Sequence, residues 1–506
     1  MRPYEFPLQL EPGAQTPLFV QISQALARDI ARGRLKPGDA LPGTRSLAGG
    51  LGVHRSTVVA AYAELVAQGW VATRPGGATY VEAASPEPKP RHFAPKHRPR
   101  PTPSASPGYA VAPPLVEGIT LPALPPGSLL LWGGSPDLRL TPVDLLARAH
   151  RRVTRRRGKT LLGYSTHFAG HPDLRRAVAN LVSSARGLAD DPESVLITRG
   201  SQMALDLTAR SLIEPGDVVA VEALGYLNAV NVFRRAGARI VPIPVDRHGI
   251  DVAALERVVR ETRVRLVYVT PHHQYPTTVM LAPTRRLALL DLARRERIAI
   301  VEDDYDQEFH YDGRPVLPLA SSDPAGNVIY VGTFAKSLAP GLRLAFVVAP
   351  HAVLTRMTAE RALVDRQGDA ILECAVAELL DDGELQRHVR RMRRVYRARR
   401  DAFCESLERE LGRVVSYQRP PGGLQLWAEV DAQVNLEQWQ ARARQRGVFF
   451  QIGSQFALDG SAVQCVRLGY SFLDEKEGAL ALRRLADCLP LRATRVAGTR
   501  RRASVA

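Results

Sequence analysis

The 506-residue chain holds only four cysteines, Cys374, Cys404, Cys465 and Cys488. They stand far apart and follow no ligand spacing, which argues against a disulfide framework and against a zinc or other metal site. No uninterrupted apolar run approaches the roughly 18 residues that a membrane span requires. The opening MRPYEFPLQLEP lacks a signal-peptide core. These absences predict a cytoplasmic protein with no membrane partner. A hydrophobic content of 45% suits globular domains, and the chain is too long for one core.

What is present divides along the chain. Leu18, Ile22, Leu26 and Ile30 recur every four residues and predict an amphipathic helix with Pro17 near its start. Gly33 and the Lys36-Pro37-Gly38 turn end it. A short helix is expected from Arg45 to Leu51, then the turn Gly52-Val53-His54, then a helix from Arg55 to Gln68. Val58, Tyr62, Leu65 and Val66 are assigned to the inner face of that helix, and Gly69 to its cap. Trp70 to Thr73 and Ala78 to Val81 flank Arg74-Pro75-Gly76-Gly77, which reads as a hairpin.

Three helices and a hairpin describe a winged helix-turn-helix, an α+β module over residues 14–82. Such a module sets the start of its last helix against base edges, so Arg55, Ser56 and Thr57 are the candidate readers of double-stranded DNA. Arg45, with Arg74 and Gly76 at the wing, is expected at phosphate or in the minor groove. The stretch from Pro17 to Val71, with its LPGTRSLA and HRSTVVAAYAEL motifs, resembles the GntR DNA-binding domain over nearly its whole length.

Residues 83–128 are rich in proline, including Pro86, Pro88, Pro90, Pro95, Pro99, Pro101 and Pro103, and read as an extended linker. Net charge is +17, yet residues 1–82 carry eight Lys plus Arg against six Asp plus Glu, a surplus of two. The excess gathers at Arg151, Arg152, Arg155, Arg156, Arg157 and Lys159, again from Arg387 to Arg400, and in a basic tail, 492–506, with Arg500-Arg501-Arg502. Two readings stand, a solvated cationic face and a second contact with DNA backbone.

Lys336 lies between apolar runs in VIYVGTFAKSLAPGLRLAFVV, residues 328–348. A lone lysine is ordinarily a solvated charge, but Thr333 and Arg343 flank this one with a hydroxyl and a guanidinium suited to phosphate. Upstream, the run Ile298 to Val301 ends in Glu302-Asp303-Asp304-Tyr305, placing carboxylates at the end of a buried strand, where open α/β sheets bind ligands. An imine-forming lysine, a phosphate cradle and an aspartate for a pyridine nitrogen are the parts that pyridoxal 5'-phosphate needs.

From these motifs, residues 129–491 resemble fold type I aminotransferases, an α/β transferase fold with a smaller C-terminal α+β part. The resemblance implies that Lys336 carries the internal aldimine, Asp303 pairs with the pyridinium nitrogen and Tyr305 meets the phenolic oxygen. Gly200-Ser201-Gln202, after the strand-like Val195 to Thr198, matches the phosphate-binding turn, as backbone N–H groups at a helix start would allow. Tyr226 matches an aromatic stacked on the ring, although alone it reads more readily as a core tyrosine. Tyr275 joins the cofactor set. Arg467 matches the arginine that grips a ligand carboxylate, against the plain reading of a surface strand arginine. Tyr164 matches a tyrosine sent to the neighbouring subunit's phosphate. The chain departs from the pattern in the loop Thr270 to Thr278, with Thr278 where glycine is common, at Ala335 where serine is frequent, and in EALGY for EDPGY around Tyr226.

The joined architecture resembles the MocR/GabR regulators. That resemblance implies a head-to-tail homodimer and a transcription regulator that senses pyridoxal phosphate, an amine or an amino acid. Two other readings remain: a working aminotransferase with an accessory DNA-binding domain, and a DNA-binding protein whose pocket is vestigial.

Overall fold

The computed structural model describes residues 10–11, 16–73, 78–82, 107, 109–111, 124–188, 191–313 and 316–489. The chain divides into two compact units, 1–112 and 113–506. Arg74 and Gly76, most of the proline-rich stretch and the basic tail lie outside the described residues.

In the first unit, helices Leu18–Ala31, Thr44–Leu51 and Arg55–Ala67 precede antiparallel strands Val71–Thr73 and Thr79–Val81. Spacing by four puts Ile22 and Leu26 on one face of the first helix, where they are fully buried with Val58, Ala61 and Leu65 of the third. The Tyr62 hydroxyl closes this core by donating to Pro42 O at 2.7 Å. Gly69 takes φ +76°, a left-handed conformation that ends the third helix and turns the chain into the hairpin. One assignment fails, because Val66 is 43% exposed. It follows Leu65 directly, and neighbours in a helix point about 100° apart, so both cannot face a core this narrow.

The second unit is built on a seven-stranded sheet in the order Val195–Thr198, Ala345–Val348, Val328–Thr333, Ala299–Asp304, Val264–Val269, Val218–Glu222, Arg239–Ile243. All neighbours are parallel except those of Ala345–Val348, which runs against both of its own. The strands are nearly continuous apolar runs because helices cover both faces. Asp303 stands opposite Val331 on adjacent parallel strands, so the acidic strand end and the Lys336 loop leave the sheet at the same edge. The 28-residue helix Glu384–Leu411 leads into a smaller four-stranded sheet, Val415–Tyr417, Gln425–Val430, Cys465–Gly469 and Gln451–Ile452. This part has its own core around the fully buried Trp439.

The charge runs are only partly a surface. Arg399 and Arg400 are buried and pair with Asp137 and Asp312, while Arg152 and Arg157 pair with Glu378 and Asp173. Arg151, Arg155 and Arg156 stay exposed. No helix among the described residues is long and apolar enough to cross a membrane.

Leu65 is wholly enclosed in a small core, so Leu65→Ala should cost roughly 2–5 kcal/mol. In the full-length protein, a denaturant titration should show an early transition of the N-terminal unit with the main transition unmoved. A single unshifted transition would contradict this packing.

Candidate functional site

The cleft lies where the carboxyl ends of the parallel strands meet the smaller sheet. Lys336 follows strand Val328–Thr333 and is half-buried. Burial and the Arg467 charge bring its ammonium down to about 8, against the pull of Asp306 and Asp303. Asp303 is buried, with Oδ2 accepting from the Tyr268 hydroxyl at 2.8 Å and Oδ1 left without a partner. Burial lifts its carboxyl to about 6, although Tyr268 and Lys336 favour the charged form.

A corner forms where the antiparallel strand brings Arg343 back toward the start of helix Ser201–Leu212. Gly200 adopts φ +80°, and a Cβ there would stand 2.6 Å from the Arg343 guanidinium, so only glycine admits this approach. Arg343, itself at φ +51°, donates to Arg199 O at 3.1 Å. Thr333 is buried, accepting from Ala335 N at 3.1 Å. Ser201 opens the helix, and the Gln202 amide donates to Asn228 O at 3.2 Å.

Aromatic rings wall the cleft. Tyr226 and Tyr275 meet edge to face at 5.3 Å, and Tyr275 also contacts Tyr305 and Phe456. Tyr226 is half-buried in this wall rather than sealed in a core. Tyr305 donates its proton to His273 O at 2.8 Å and receives the Gln425 amide at 3.3 Å, so in this arrangement it cannot also donate to a cofactor oxygen. Thr278 adopts φ +62° in the loop above, the backbone region that favours glycine.

Arg467 is 3% exposed, which overturns the surface reading. Its guanidinium lies 4.3 Å from the Tyr275 ring centroid, donates to Tyr275 Oη at 3.3 Å and Gln451 Oε1 at 3.1 Å, and leaves Nε unpartnered. No carboxylate pairs with it among the described residues. Gly133 and Gly134 make room for it, since a Cβ on Gly133 would fall 2.8 Å from its Nε. Gly133, Gln425, Gln451 and Tyr268 have no motif of their own, and only the fold brings them here. Tyr164 stands apart, 87% exposed, with the Arg366 guanidinium 4.4 Å from its ring centroid.

In the other unit, His54 caps the third helix, its Nδ1 meeting Ser56 Oγ at 2.6 Å. Arg45, Arg55 and Ser56 are exposed, Thr57 is half-buried, and Arg55 Nε reaches Thr44 Oγ1 at 3.4 Å. Neither arginine has an ion pair among the described residues, so both charges are available to phosphate or base edges.

These two sites define a class: a DNA-binding head joined to a transferase body of fold type I. Residues 134–485 match aminotransferase class I and II, and residues 18–81 match the gntR family of bacterial regulatory proteins. MocR of Rhizobium meliloti, a "Probable rhizopine catabolism regulatory protein", is 34% identical over 486 residues, covering 94% of this chain and 95% of its own. The HTH-type transcriptional regulator TauR of Rhodobacter capsulatus is 34% identical over 452 residues, 88% and 91% of the two chains. The crystal structure of LysN, the α-aminoadipate aminotransferase of Thermus thermophilus, superimposes with a TM-score of 0.67 at 34% identity, covering 72% of this chain and 92% of that one. The chain belongs to the MocR-type family of DNA-binding transcription regulators.

Pyridoxal phosphate is the cofactor this family implies. The residues fit it: Asp303 has an orphaned buried carboxylate oxygen, a glycine turn lies against Arg343, and the desolvated Lys336 amine feels the Asp303 charge.

The electrostatics carry a sign that can be checked. Reactivity of the free Lys336 amine toward an acylating reagent, followed site by site by mass spectrometry, should rise with pH through about 8. Arg467 is a cation that depresses this amine, so in Arg467→Met the rise should move to higher pH. An unmoved profile would refute the proximity of the two charges.

Proposed function

We propose that this regulator couples DNA binding to occupation of the cleft by pyridoxal phosphate and by an amine or amino-acid ligand. The observation that carries the reading is Arg467, a buried cation with no carboxylate partner, aimed at the space beside Lys336. An unpaired buried guanidinium is costly, and a bidentate ligand carboxylate offsets that cost.

Pyridoxal phosphate, when bound, supplies an aldehyde that condenses with primary amines and a ring that withdraws electrons. Lys336 would hold it covalently, and Asp303 would keep a proton at the ring nitrogen through its free Oδ1. Gly200, Ser201, Gln202, Thr333 and Arg343 would bind the phosphate, with Tyr226, Tyr275 and Tyr305 flanking the ring. Tyr164, exposed in the single chain, suits a role across a homodimer. Arg55, Ser56 and Thr57 would read operator DNA, with Arg45 on phosphate, in a cytoplasmic protein. We take residues 14–82 as the head, 83–128 as linker and 129–491 as body.

A second reading is supported by the completeness of the same set. Lys336, Asp303 and Arg467 are what a transamination half-reaction requires, so slow turnover can accompany regulation.

The test is a set of single substitutions in the full-length protein. Lys336→Ala should abolish the visible absorbance band that pyridoxal phosphate produces, with folding unchanged. Arg467→Met should keep the band yet weaken amino-acid binding at least about tenfold, the order expected when a charge-assisted pair is lost. In gel retardation, Arg55→Ala should cost about 1–3 kcal/mol on specific DNA and less on unrelated DNA. Steady turnover with a keto acid, together with DNA binding indifferent to cofactor and amine, would move the enzyme reading ahead.

A further inference from the structure

Three imidazoles converge outside the set of residues used above. His272 and His273 follow strand Val264–Val269, and His310 lies in the segment after strand Ala299–Asp304. All three are buried, at 4%, 1% and 3% exposure. The rings of His272 and His273 are 4.4 Å apart between centroids, and those of His272 and His310 are 5.9 Å apart. One ring nitrogen from each lies within 4.8 Å of the others.

Each ring carries one unsatisfied nitrogen: His272 Nε2, His273 Nε2 and His310 Nδ1 are buried without a hydrogen-bond partner among the described residues. An orphaned buried polar atom is costly, and three on adjoining rings call for a shared ligand. His273 is already oriented for one. Its Nδ1 bonds Asp306 Oδ1 at 2.7 Å, the carboxylate support that fixes an imidazole and directs its other nitrogen at a metal. The nearby cations are partly answered, Arg186 by Glu308 and Tyr330, Arg286 by Leu317 O, and Arg393 by His310 O itself. A cavity of about 300 Å³, lined by His310, Gln307, Ser337 and Arg390, borders one member of the cluster.

We propose that His272, His273 and His310 bind a zinc-class divalent cation that clips the Thr270–Thr278 loop to the segment after strand Ala299–Asp304. Three imidazoles with no thiolate suit a borderline first-row metal and leave a fourth position open. The clip has leverage on the cleft, because Tyr275 follows His273 in one loop and Tyr305 donates to His273 O from the other. The backbone bridge between His310 and Gly422 extends it toward the smaller sheet.

The test uses full-length protein without a polyhistidine tag, stripped with a chelator and titrated with Co²⁺. One equivalent per chain should produce the strong ligand-field absorption of four-coordinate cobalt, and Zn²⁺ should displace it. His272→Asn and His310→Gln should each lose the band, and Asp306→Asn should weaken the metal about ten- to hundredfold. Cys374→Ser should keep it, which separates this site from the cluster of His171, Asp173 and Cys374. Absence of the band in the wild-type protein, or its survival in both histidine variants, overturns the proposal.

Discussion

Desolvated charge at one edge of a parallel sheet is the constraint on which the rest of this molecule depends. Lys336 and Asp303 are both driven toward their neutral forms by burial, and Arg467 is enclosed with no carboxylate to meet it among the described residues. Such a site is poorly satisfied by its own residues. On the proposed reading, a ring with a basic nitrogen, a phosphate and a carboxylate would supply the missing partners. The single antiparallel strand matters here, since it returns the chain from the Lys336 loop and brings Arg343 against Gly200. Without that reversal Arg343 would not return to the start of helix Ser201–Leu212.

The same electrostatics give a ligand something to act on. A ligand shifts an equilibrium only through its unequal affinity for two states, and couplings between sites commonly amount to about 1–3 kcal/mol. A charge-assisted pair with Arg467 is of that size. On the proposed reading, the exposed arginines of the head and the enclosed arginine of the body would do opposite jobs. Arg45 and Arg55 would keep their charge in water for phosphate or bases, whereas Arg467, buried away from water, would respond to a single small anion.

Much of this was readable in the sequence where the physics is local. Spacing by four marked Ile22 and Leu26, Gly69 marked a helix end, and apolar runs followed by Glu302-Asp303-Asp304 or by Thr333 and Lys336 marked strand ends at a cleft. What depends on distant partners was not readable. Val66 was assigned to the core on periodicity alone, although one narrow face could not hold it beside Leu65. Arg399 and Arg400 looked like surface charge because Asp137 and Asp312 are remote in sequence. Gly133 has no motif and matters only because Arg467 fills the space above it. His310 is far along the chain from His272 and His273, so no ligand spacing could announce that their rings converge.

The most direct test of the account is reciprocity. The affinity of the cofactor-loaded protein for an amino acid would be measured from visible absorbance, with and without saturating DNA from upstream of its own gene. Coupling predicts that DNA changes this affinity by the same factor by which the amino acid changes DNA affinity. Equal amino-acid affinities with and without DNA would contradict the account, leaving a DNA-binding head and a ligand pocket that do not communicate.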